Sequence, residues 1–263
     1  MRKFTIGSLV VHDVTQSIES LGYAIHIPVD GLDFPLIRLA TQDKPLEHGA
    51  LVSGHLYGGR LISLTGLVYG ITTLAHNANR RALEAAIRII KNNYISQQIL
   101  CLLTTDDGLL LQTNAQPQKF KMAIETRNKS KFLLDLFASD PNLYNQTLTA
   151  VTLGVGSGSV TNNGDSNSYP VLRFNGPLTD PILTNTTLSE SFKLNVVLGG
   201  GDYITVDMAA KTIVFNGITN YMDKFDIANT WLSWIPGLNN LTLAVSAGAG
   251  NVLINFRDAY VGI

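Results

Sequence analysis

Gly59-Arg60-Leu61-Ile62-Ser63-Leu64-Thr65-Gly66-Leu67-Val68-Tyr69 decides how the first half of this chain folds. Ile62 and Leu64 alternate with Leu61, Ser63 and Thr65, the two-residue period of a strand with one buried face. Downstream the period changes. Leu83, Ile87 and Ile90 fall at i, i+4 and i+7, and Ala82, Ala86 and Ile89 widen the stripe, which predicts a helix over 77–93. Asn77 or Asn79 would cap it, Glu84 would pair with Arg88 on the wet side, and Asn92-Asn93 would stop it. It is the one helix the pattern predicts.

Past the helix, 98–104 and 109–112 flank Thr105-Asp106-Asp107-Gly108. Asp-Gly supplies the positive φ of a tight turn, so this segment predicts a β-hairpin. Residues 119–126 predict another strand, and 132–137 one more before Asp140-Pro141 breaks it. Upstream, Pro35, Pro45, Gly49, Gly54, Gly58 and Gly59 interrupt regular structure, and the stretch of about 30–58 is expected to be an extended hairpin or arm reaching a neighbour.

The remaining sequence is short β-prone runs, at 171–175, 191–197, 203–207, 212–216, 240–245 and 251–257, punctuated by Asn163-Gly164-Asp165, Gly199-Gly200-Gly201 and 247–250. Such spacing predicts a β-sandwich. Residues 154–164, rich in Gly and Ser, read as a flexible connector or junction loop. Charge also divides the chain. Residues 1–145 hold fourteen Lys/Arg and twelve Asp/Glu, a net of +2; residues 146–263 hold five and eight, a net of −3. All five histidines lie in the first part. We expect two domains, 1–147 and 148–263.

Composition narrows the function. Of 263 residues 45% are hydrophobic and only 15% charged, with a formal net charge of −1. That balance argues against a nucleic-acid binder built on a broad basic surface. No apolar run reaches the length of a membrane span, and the short run at 4–11 ends at His12-Asp13 without a cleavage site, so a soluble protein made in a cytoplasm and kept there until assembly is expected. Cys101 is the single cysteine, which excludes an intrachain disulfide and a Cys-rich zinc site. Its apolar neighbours make it a buried small hydrophobe.

The residues with chemical potential read as structural. Gly154, Gly156 and Gly158 lack the Lys-Ser/Thr of a P-loop. His48 and His55 have no Cys or HExxH context, and His12-Asp13 has no nucleophile elbow to serve. Asp202, Asp207, Asp223 and Asp226 are numerous enough for a glycosidase pair, but they bracket a strand or sit in a loop. Trp231 and Trp234 with Pro236-Gly237 and Asn239 form the most distinctive cluster. They read as a buried aromatic plug, the alternative being a carbohydrate-binding module that recognises cell-surface glycan by stacking. No catalytic, cofactor or metal residue is expected.

Several phrases, taken in order, resemble the distal tail proteins of long-tailed, non-contractile bacteriophages. They are the stretch from Gly59 to Gly66, with Arg60 and Gly66, the helix near Leu83, and Phe137-Ala138-Ser139-Asp140-Pro141-Asn142-Leu143-Tyr144. In the second half they are Asn163-Gly164-Asp165, Tyr169-Pro170-Val171-Leu172-Arg173-Phe174-Asn175-Gly176, Pro181-Ile182 with Asn185-Thr186, Asp202 to Asp207, Lys211 to Gly217, and Trp234-Ile235-Pro236-Gly237-Leu238-Asn239. The resemblance implies a mainly β protein: a ring-forming N-terminal α+β, sandwich-like domain and a C-terminal galectin-like β-sandwich. It implies a virion tail-tip location and no reaction. The ring, a hexamer in the family, would join the tail tube protein to the tip or tail-associated protein and the receptor-binding protein, and let DNA pass without sequence-specific contact. Arg60, Gly66, Asp140, Pro141, Gly164, Pro170, Gly176, Asn185, Asp207, Gly217, Trp234, Pro236, Gly237 and Asn239 are then the structural positions of the family motifs.

Overall fold

The computed structural model describes residues 1–45, 47–88, 98–226 and 228–263. The chain is mostly β and divides into two compact units, 1–146 with 261–263, and 147–260. The last three residues therefore return to the first unit, across the expected boundary.

The first unit contains β1 (Lys3–Ile6), β2 (Leu9–Asp13), the single-turn α1 (Ile18–Leu21), β3 (Tyr23–Ile25), β4 (Ile37–Asp43), β5 (Ala50–Tyr57), β6 (Arg60–Tyr69), α2 (Thr73–Ile87), β7 (Ile99–Thr104), β8 (Leu110–Thr126), β9 (Lys129–Ala138) and β10 (Leu143–Asn145). Seven strands lie in the order β2-β1-β7-β8-β9-β6-β3. β6 alternates buried and accessible residues along its whole length, as its sequence predicts, and pairs antiparallel with β9 from Arg60–Ala138 to Tyr69–Lys129. The β7–β8 hairpin also forms as expected, with Gly108 at φ +90° and the Thr105 hydroxyl accepting from Leu109 N. Residues 119–126 are not a separate strand. They are the second half of the seventeen-residue β8, which pairs first with β7 and then with β9.

The helix departs from expectation at its start. Thr72, not Asn77 or Asn79, is the N-cap, its hydroxyl accepting from Ala75 N at 3.1 Å, so the helix opens four residues earlier. Asn79 lies within the helix and donates to the Tyr69 carbonyl at 2.8 Å instead. Arg88 leaves helical geometry and makes no ion pair with Glu84. The expected stop at Asn92-Asn93, with Ile89 and Ile90, lies outside the described residues. Leu83 and Ile87 are buried as the stripe predicts, and so is His76. Its Nδ1 meets the Arg127 carbonyl at 3.2 Å and its Nε2 meets the Ser130 hydroxyl at 3.0 Å. A carbonyl only accepts, so the proton belongs on Nδ1 and the hydroxyl donates to Nε2.

The second unit holds β11 (Thr149–Gly154), β12 (Gly156–Asn162), β13 (Val171–Asn175), β14 (Leu178–Thr179), β15 (Ile182–Asn185), β16 (Glu190–Lys193), β17 (Val197–Leu198), β18 (Tyr203–Asp207), β19 (Thr212–Phe215), β20 (Thr219–Asn220), β21 (Gly237–Ala244), β22 (Ala247–Gly248) and β23 (Asn251–Phe256). A six-stranded sheet, β11-β23-β13-β18-β19-β20, and a four-stranded one, β12-β21-β15-β16, supply the core of a β-sandwich. In β13, β18 and β23 every second residue is buried, which places Leu172, Phe174, Ile204, Val206, Val252 and Ile254 in that core. The Gly/Ser stretch at 154–164 is not a connector. Small side chains there run as β12 along β21 from Gly156–Leu243 to Asn162–Gly237, with Val160 and Asn162 buried.

Candidate assembly interface

The residues with chemical potential do not come together. Among the described residues no group of three His, Cys, Asp or Glu side chains is placed to hold a metal ion. Asp202 accepts from Gly199 N and the Asn216 amide, and Asp207 caps the β18–β19 turn by accepting from Ala209 N and Ala210 N. Asp223 pairs with Lys224 at 2.9 Å, and Asp226 accepts from Ala228 N. Asp202, Asp207 and Asp226 thus serve local turns, Asp226 also facing Lys193 at 4.0 Å, and Asp223 stands in an exposed ion pair. Cys101 is wholly buried, and burial pushes its thiol up to about 12, far from a nucleophile's range. Burial likewise lowers the pKa of His12. Trp234 is fully buried, and one face of Trp231 is occupied by Phe225, stacked at 4.8 Å between ring centroids. The pair therefore forms no exposed platform for a sugar. No described helix is long and apolar enough to cross a membrane.

The motif residues instead organise backbone. Asn162, Asn185 and Asn239 are completely buried and hold the segment around Trp234. Asn239 accepts from Ile235 N (3.1 Å) and the Asn185 amide (3.2 Å), and donates to the carbonyls of Ile235 (2.8 Å) and Gly237 (3.1 Å). Asn162 donates to the Trp234 carbonyl at 3.0 Å. Gly237 has φ +89°, a conformation L side chains rarely adopt, and Pro236 bridges to Asn162. Gly66, Gly164 and Gly176 lie where another main chain passes: a Cβ would stand 2.4 Å from the Ala24 carbonyl oxygen, 1.9 Å from that of Ala259 and 2.1 Å from that of Gly199. Pro170 accepts from Met208 N, and Gly217 sits in the turn after β19. Asp140 accepts from Asn142 N and the Tyr144 hydroxyl.

Arg60 differs in kind from these. It is 1% exposed, and all five hydrogen bonds of its guanidinium among the described residues go to main-chain carbonyls. Nε and Nη2 donate to the Pro141 carbonyl at 2.9 and 2.7 Å, and Nη1 donates to those of Gly31 and Asp33 at 2.7 and 2.6 Å. Nη2 donates also to the Val261 carbonyl. Burial pulls its pKa below the usual value, opposed by the charges of Asp33 and Asp140.

The surface that stands out is apolar. Among the described residues β4 and β5 pair only with each other, and every residue of both strands is exposed. Leu39 is 59% accessible, Val52 60% and Leu56 70%. The register puts Ile37, Leu39, Val52 and Tyr57 on one face and Leu51 and Leu56 on the other. Seven residues at about 3.4 Å each give the hairpin a length of about 24 Å. His48 lies in its turn and His55 on β5, both in the open. Two strands alone are marginal in water, and both faces lack the packing that would hold them. At the root of the hairpin, Gly31, Phe34, Pro35, Leu36, Leu61 and Phe137 line a groove of about 380 Å³. β4 and β5 form an extended hairpin within the stretch 30–58, and its exposed apolar side chains make a contiguous patch of the kind that marks an interface.

Residues 151–260 match the family described as siphovirus-type tail component, C-terminal domain. No curated protein sequence matches the chain. Among solved structures, the fold is similar to the Dit protein of phage SPP1, with a TM-score of 0.71 and 14% identity over 98% of each chain. It is also similar to a chain of the phage P2 baseplate in its activated conformation with calcium, and to one in the form with strontium. Both have a TM-score of 0.53 and 8% identity over the whole of each chain. The SPP1 protein is described as a paradigm of the hub adsorption apparatus in phages that infect Gram-positive bacteria. Residues 151–260 are thus similar to the siphovirus-type tail component, C-terminal domain, and the chain as a whole has a β-sandwich fold like that of the SPP1 Dit protein.

Proposed function

We propose that this chain is a distal tail hub protein whose first unit closes into a ring at the end of the phage tail. The observation that carries this is the exposed apolar arm, which among the described residues has no partner strand or core. An arm on one side of a protomer and a receiving surface on another make a head-to-tail contact, and when its rotation closes the product is a ring. A charge content of 15%, against about 25% in ordinary domains, suits surfaces covered by other subunits. The family match and the likeness to hub and baseplate proteins support the tail tip as its place and a mechanical role with no bond made or broken. The ring would be a hexamer joining the tail tube protein to the tip protein and the receptor-binding protein, with DNA passing through its centre.

The test is the mass of the purified protein together with electron-microscopy images of its particles. A closed oligomer with a central hole is expected, and deletion of residues 42–57 should leave a folded monomer. A parent protein that stays monomeric at high concentration, or a deletion variant that still forms rings, removes the arm from this role.

A further inference from the structure

We infer that Arg60 and the segment 261–263 together set the root of the arm, so that the arm is poised for a neighbour only when this tail is seated. The inference rests on the arm making the ring contact, and two independent sets of contacts carry it.

The first is the guanidinium fork. Its five hydrogen bonds go to main-chain carbonyls at Gly31, Asp33, Pro141 and Val261, so one side chain ties three segments distant in sequence. Such a charge is kept buried only while its donors are satisfied, because an orphaned buried N–H loses its whole hydration. Lysine, a point charge on a flexible stem, does not reproduce the planar fork. The second set does not involve Arg60. Ile263 N donates to the Leu32 carbonyl at 3.2 Å. Gly262 lies so close to the same loop that a Cβ would meet the Asp33 carbonyl carbon at 3.0 Å and Phe34 N at 3.3 Å.

Both sets converge on the loop that leads directly into β4. Gly31 itself has φ +85°, and its α-carbon faces the Leu61 carbonyl with no room for a Cβ. The other strand of the arm ends beside it, Gly58 N donating to the Leu36 carbonyl at 2.7 Å. Residues 261–263 follow the second unit in sequence and are therefore made after it, yet they brace the base of an arm near residue 36. Ring-forming capacity is thus coupled to the docking of residues 261–263: a chain in which this segment has not docked lacks one acceptor for Arg60 and the cover over the loop.

The experiment uses the full chain and two variants, Arg60→Lys, which keeps the charge and loses the fork, and Gly262→Val, which displaces the tail and leaves Arg60 intact. Hydrogen exchange reads the amides of residues 58–63, and particle mass reads the ring. In both variants those amides should exchange at least tenfold faster, amides of β13 and β23 should be unchanged, and the ring should shift toward monomer. Unchanged exchange at 58–63 in Gly262→Val overturns the inference even if Arg60→Lys fails to fold. Faster exchange with rings undiminished overturns the coupling. If exchange accelerates as stated but the parent protein makes no ring, the brace stands and the proposed function is what fails.

Discussion

Replacing Asn239 by alanine tests whether the buried asparagines, rather than Trp234 alone, hold the second unit together. In the native protein the Ile235 N–H has Asn239 Oδ1 as its acceptor at 3.1 Å, and the Ile235 carbonyl receives Asn239 Nδ2 at 2.8 Å. The Asn185 amide keeps the Ser233 carbonyl, and the exposed Gly237 carbonyl can turn to water. Two main-chain groups thus lose their partner, at about 1–3 kcal/mol each. Ile235 is half-buried, so water recovers part of this, and a loss of about 3 kcal/mol follows. Both tryptophans, Trp231 and Trp234, lie in this unit, so their emission during a urea titration follows its unfolding alone. With a urea m-value of about 2 kcal/mol/M, the midpoint should fall by about 1.5 M. Asn240→Ala, one residue on and exposed, should stay within about 0.5 kcal/mol of the parent. If Asn239→Ala moves the midpoint by less than about 0.3 M, the asparagine network is not what secures this segment.

Two further outcomes follow from single positions. At Gly237, φ is +89° and nothing lies within 4 Å of where a Cβ would be, so Gly237→Ala should cost only the backbone term, about 1–2 kcal/mol; a neutral result in the same titration would show that this turn relaxes freely. The Cys101 thiol, raised by burial from an ordinary 9.0 to about 12, should resist thiol reagents in the native protein and react once denatured. Its linkage has a definite sign. Below pH 9 both folded and unfolded chains keep the proton, and from 9 to about 12 only the folded chain does, so stability should fall across that window. Tyr23, pushed up to about 12 from 10.0 by burial, adds to the same trend. Cys101→Ala should flatten the decline between pH 9 and 10, and an unaltered profile there would rule the thiol out as its source.

The sequence by itself determined the elements whose signal is local. The two-residue period of 60–69 needs only alternation, and the 105–108 turn needs only Asp-Gly, so both are legible without knowing what they pack against. In the stretch 30–58 the Pro and Gly residues marked the ends and turn of a hairpin, although Gly54 lies inside β5. Composition pointed away from a broad basic nucleic-acid surface, and the order of short phrases pointed to the tail-protein resemblance. Tertiary structure decided what depends on distant partners. Thr72, Asn77 and Asn79 are all good caps by type; in the fold Thr72 serves, and Asn79 lies inside the helix and donates to the Tyr69 carbonyl. Residues 156–162 form a strand only because β21 supplies the ladder, since Gly and Ser have no such preference of their own. Nothing near Arg60 in sequence announces a buried cation, because all its acceptors are carbonyls, which every residue carries, brought from 31, 33, 141 and 261. Local chemistry writes turns and periods into the chain, whereas burial is a property of the folded whole.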